Sequence, residues 1–114
     1  MEKMYTLARG GRAKVFGYEE TSTEVIVYTG AAFASEYRFK KDDIAKMLEH
    51  FKDKGWFILG NQVDDVKPNG MGSYLKNRIN SGAVKYASHL GAFLVKQGKL
   101  LYRDDFGRIE FKVK

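Results

Sequence analysis

The chain has 114 residues, no cysteine, one proline and a formal net charge of +6. That length sets an expectation of one domain able to bury a core without metal or disulfide help, and the lack of cysteine excludes disulfides and thiolate chemistry. No window approaches the roughly 18 uninterrupted apolar residues of a membrane-spanning helix, and Met-Glu-Lys-Met leads into no long apolar core. No membrane partner or secretory signal is therefore expected, and a cytoplasmic setting is.

Met4 to Ala8 is a candidate for a short first strand, and Gly10-Gly11 breaks the chain after it. Arg12 to Tyr18 reads as a strand with Ala13 and Val15 on one face. Glu24 to Thr29 carries Val25, Ile26, Val27 and Tyr28, branched and aromatic side chains that suit a pleated surface. Ala31 to Ser35 is a small-residue connection or a short helical turn. Glu36 to Lys40 alternates Tyr37 and Phe39 with charge. The expectation is an N-terminal antiparallel three-stranded sheet.

Lys41-Asp42-Asp43 opens a helix, with Asp42 as cap and the acidic first turn favouring the dipole. Ile44, Met47, Leu48 and Phe51 form its apolar stripe, and Gly55 follows its end. Trp56 to Leu59 is a short apolar strand, with Trp56 assigned to the core. Gly60 to Gly72 is a loop holding Pro68 and the turn pair Asn69-Gly70. Met71 to Ile79 is a short helix with Met71, Tyr74 and Leu75 inward.

Asn80-Ser81-Gly82 breaks the chain before the sharpest signal in it, a long helix over 83–97. Ala83, Ala87, Leu90 and Leu94 recur at helical spacing, and Gly98 stands where a left-handed stop residue belongs. Ser81 or Gly82 suits the cap. Leu100 to Arg103 and Arg108 to Val113 then form a hairpin around Asp104-Asp105-Phe106-Gly107, with Ile109, Phe111 and Val113 on one side.

Charge is divided unevenly. Residues 1–66 hold 10 basic and 11 acidic side chains, whereas residues 67–114 hold 10 basic and 3 acidic. A basic half joined to a neutral half suits a nucleic-acid contact surface, and equally a solvated lysine-rich exterior.

The order from Asp42 onward is helix, strand, helix, turn, helix, hairpin. It resembles the winged helix-turn-helix family, over residues 42–114 and in element order rather than by a diagnostic motif. The fold expected is therefore α+β in a single domain: a strand-rich front over 1–41 and a winged-helix-like back over 42–114. The resemblance implies that the late helix enters the major groove and that the hairpin, as wing, contacts the backbone or the minor groove. Outside the apolar stripe lie Lys85, Ser88, His89, Ala92 and Lys96. Lys85 and Lys96 suit phosphate, and Ser88 or His89 suits a phosphate or a base edge. Arg103 and Arg108 flank the hairpin turn and either straddle a backbone or pair with Asp104 or Glu110.

The expected function is therefore non-catalytic nucleic-acid binding, to DNA before RNA, with no cofactor and no metal. The front strands either cover the core or build a homodimer contact. The alternative is a protein-interaction module using the same helix or an exposed sheet edge. Enzyme signals are absent: Gly10-Gly11-Arg12 and Gly70-Met71-Gly72 form no phosphate-binding loop, and Asp64-Asp65 with Asp42-Asp43 and Glu49 match no named metal spacing.

Overall fold

Two antiparallel sheets enclose a helical layer. The computed structural model describes residues 1–7, 13–60, 68–105 and 108–114, with only the backbone of Asp105. The first sheet has the order β1-β2-β3-β4, from Glu2–Tyr5, Val15–Glu20, Glu24–Thr29 and Ser35–Lys40. The second has the order β5-β7-β6, from Phe57–Ile58, Arg108–Val113 and Leu100–Asp105. The helices are α1 (Lys41–Phe51), α2 (Met71–Arg78), α3 (Ser81–Val84) and α4 (Ala87–Lys96); α1 and α4 pack on both sheets, and α2 packs on α3 and α4. The chain is a compact single-domain α+β fold, and among the described residues no helix is long and apolar enough to cross a membrane.

The front sheet has four strands, not the expected three. Its extra strand, β1, runs from Glu2 rather than Met4 and pairs Met4 with Phe16 and Tyr5 with Val15. An edge strand that turns only Met4 towards the core leaves almost no alternating signal. Further in, the alternation sets the register. Phe16 and Tyr18, Val25 and Val27, and Tyr37 and Phe39 share one face, because Tyr18 pairs with Val27 and Val27 with Tyr37. That face is the one buried against the helices. The Ala31–Phe33 connection is a single 3-10 turn.

α1 starts at Lys41, so Asp42 sits in its first turn and is not its cap; no side chain caps this end. Lys41 N instead donates to Thr23 O at 2.8 Å, tying the helix start to the β2–β3 turn. Ile44, Met47 and Phe51 are buried as the stripe requires. Phe51 stacks on Phe57 with ring centres 3.9 Å apart, joining α1 to β5. Trp56 is only partly buried and lies beneath Arg103, whose guanidinium carbon stands 4.3 Å from the ring centre.

The long helix expected over 83–97 is two helices. Asn80, not Ser81 or Gly82, caps α3: its Oδ1 accepts from Ala83 N at 2.9 Å. The break falls at Tyr86 (φ −107°, ψ 9°), whose N–H reaches back only three residues to Ala83 O. There the Tyr86 ring stacks on Tyr37 at 5.0 Å, and Tyr37 Oη donates to Asn80 Oδ1 at 3.2 Å. The tertiary stack and the cap are thus one assembly. The end of α4 follows expectation: Gly98 has φ +76°, and Lys99 N donates to Leu94 O at 2.9 Å.

The expected hairpin forms, with Tyr102 opposite Phe111 and Arg103 opposite Glu110. Its tip residues Phe106 and Gly107 lie outside the described residues, as do Gly10-Gly11-Arg12, Asp64-Asp65 and most of the 60–72 loop.

Candidate nucleic-acid interface

α4 is covered on two sides. Ala83, Ala87, Leu90 and Leu94, the stripe read from spacing, are buried at or near zero exposure. On this side the Phe111 ring of β7 lies against Gly91. A second row, Tyr86, His89, Phe93 and Lys96, faces the front sheet. Tyr86 stacks on Tyr37, His89 meets Phe16 edge-on at 5.0 Å, and Phe93 meets Tyr18 at 5.2 Å. Lys96 Nζ lies 5.2 Å above the same Tyr18 ring. Steps of three and four carry this row along one helical flank.

The six residues expected to hold nucleic acid are therefore placed very differently. Lys85 is exposed at the break between α3 and α4. Ser88 is half-buried. His89 is partly buried against Phe16, and its Nδ1 is enclosed with no hydrogen-bond partner. Burial, then the charge of Lys14, lowers its pKa and favours the neutral ring. Lys96 is exposed and committed to Tyr18. Ala92, placed outside by spacing, is 1% exposed. Arg103 Nε donates to Glu110 Oε1 at 2.7 Å while its guanidinium covers Trp56, and Arg108 reaches the other Glu110 oxygen at 4.0 Å. The hairpin arginines thus share one carboxylate, Arg103 across the strands and Arg108 along β7.

Spacing along the late helix passes over two cations on α2. Lys76 and Arg78 sit in its last turn, exposed, next to exposed Asn77. Arg78 lies over the Tyr74 ring, its guanidinium carbon 5.6 Å from the centre. α2 packs directly on α3, so these two cations and Lys85 belong to neighbouring elements. Among the described residues, none of the three has a carboxylate at ion-pair distance. Burial, then the charges of Lys54 and Arg78, lowers the pKa of nearby His50. One signal could have found this corner. Between Asp65 and Asp104 the chain has no carboxylate side chain, against seven lysines and arginines.

Among the described residues no group of three or more His, Asp or Glu could hold a metal ion. No family model, curated protein or solved structure matches this chain.

Proposed function

We propose that this chain is a small, non-catalytic nucleic-acid-binding protein that grips duplex DNA by its phosphates, at the α2–α3 corner. The observation that carries the reading is the acid-free stretch between Asp65 and Asp104, with Lys76, Arg78 and Lys85 exposed on adjacent elements. The winged helix-turn-helix resemblance rests on element order alone, which runs α1, β5, α2, α3–α4, β6–β7. The roles differ from the expected ones. α4 serves as the wall between two sheets, so His89 has no base-reading part, and Lys85 with the two α2 cations takes the phosphates. Binding of this kind is electrostatic and weakly selective, because phosphate contacts carry no sequence information.

Three phosphate contacts predict a defined salt response. Affinity for a labelled duplex should fall roughly 40-fold between about 50 and about 200 mM salt, from about 0.9 counterions released per contact. A flat response in an anisotropy titration would overturn the reading. A second reading, a protein-interaction module, is favoured by one observation. The edge strand β6 exposes Leu101 and Tyr102, at 44% and 47%, and such an edge can accept another strand. That reading predicts a partner whose affinity changes little over the same salt range.

A further inference from the structure

We propose that the slot between α1 and the end of α4 binds a small monocarboxylic acid with an apolar body. The slot has a volume of about 230 Å³. Val25 of β3, Ile44 and Leu48 of α1, and Phe93 and Leu94 of α4 form its apolar floor. Val25, Ile44, Phe93 and Leu94 are already buried and half-buried Leu48 is the open part of the floor, so a hydrocarbon occupant gains mainly by covering Leu48 and the rims of its neighbours.

The mouth selects the charge. Lys41 and Glu20 stand on one side, already joined by an ion pair of 2.8 Å. Lys99 stands at the mouth too, exposed, and among the described residues no carboxylate lies at ion-pair distance from it. Gln97 adds an exposed amide that can donate. One positive charge is left over, which matches a single carboxylate and not a doubly charged phosphate ester. A purely apolar ligand would leave Lys99 unused, and an anion without an apolar body would leave the floor wet. None of Lys76, Arg78 and Lys85 lines the slot, so the site is independent of the nucleic-acid reading.

The test is a protein-observed NMR titration of the whole chain with 3-phenylpropionate, using 3-phenylpropanol as its uncharged counterpart. Saturable shifts are expected at Ala45, Leu48, Leu94 and Lys99, with the acid binding more tightly than the alcohol. Lys99→Gln should weaken the acid by about threefold to fivefold, the range of an exposed ion pair, and leave the alcohol unchanged. Ala45→Trp, a change at an exposed position of the slot wall, should fill the space and abolish both. No saturable shift up to the solubility of the acid would overturn the proposal. So would equal affinity for acid and alcohol, or parent-like binding by Lys99→Gln.

Discussion

Phe111 occupies the space that Gly91 leaves: a Cβ on residue 91 would stand 2.5 Å from Phe111 Cζ. This contact seats the hairpin on α4. Phe111 is fully buried, and its ring also packs on Phe57 at 6.0 Å, so it has little room to move.

Gly91→Ala therefore sets two effects against each other. Alanine is the better helix former by about 1 kcal/mol. Overpacking against a buried ring costs about 1–3 kcal/mol and should win. Urea unfolding should show net destabilisation. A more stable variant would mean that Phe111 swings aside freely.

Leu90 and Leu101 separate interior from rim. Leu90 is fully buried between the sheets, whereas Leu101 is 44% exposed on β6. Leu90→Ala should cost about 2–5 kcal/mol, and Leu101→Ala about 0.5 kcal/mol or less. Similar losses for the two would show that the face assignment of α4 is rotated.

Asn80 holds two partners with one oxygen, Ala83 N and Tyr37 Oη. Asn80→Ala removes a helix cap, a change worth about 0.5–2 kcal/mol. Asn80→Asp keeps the acceptor and should restore most of that loss. If both substitutions destabilise equally, the cap is not what Asn80 contributes.

His89 gives stability a pH dependence. Burial, then Lys14, lowers its folded pKa, so the unfolded chain takes up the proton first as pH falls. Its contribution is complete above the ordinary histidine value of about 6.5 and is lost as pH drops through that value towards the folded one. Between about pH 7.5 and about pH 5.5 the parent should lose more stability than His89→Gln, which retains His50. Parallel curves would remove His89 from the account.

Much of the fold was legible because it is written locally. The spacing of Ala83, Ala87, Leu90 and Leu94 located the buried side of α4, and Gly98 marked its end. Ile109, Phe111 and Val113 gave the inward side of β7. The second covered flank of α4 was not legible. Its residues include His89 and Lys96, which look solvated by type. Their partners Phe16 and Tyr18 lie some seventy positions earlier, beyond the reach of periodicity. The break at Tyr86 was hidden for the same reason, since it serves a stack with Tyr37. Of the three cations in the proposed interface, spacing on the expected long helix picks out Lys85 alone, since Lys76 and Arg78 lie on α2.

The most direct measurement compares two variants for binding to one labelled duplex at low salt, by fluorescence anisotropy. Lys76→Glu/Arg78→Glu/Lys85→Glu should abolish binding while its circular dichroism stays that of the parent, since all three side chains are exposed. His89→Gln, altered beneath the front sheet, should bind as the parent does. Full affinity in the triple variant, or loss of affinity in folded His89→Gln alone, would contradict the phosphate grip at the α2–α3 corner.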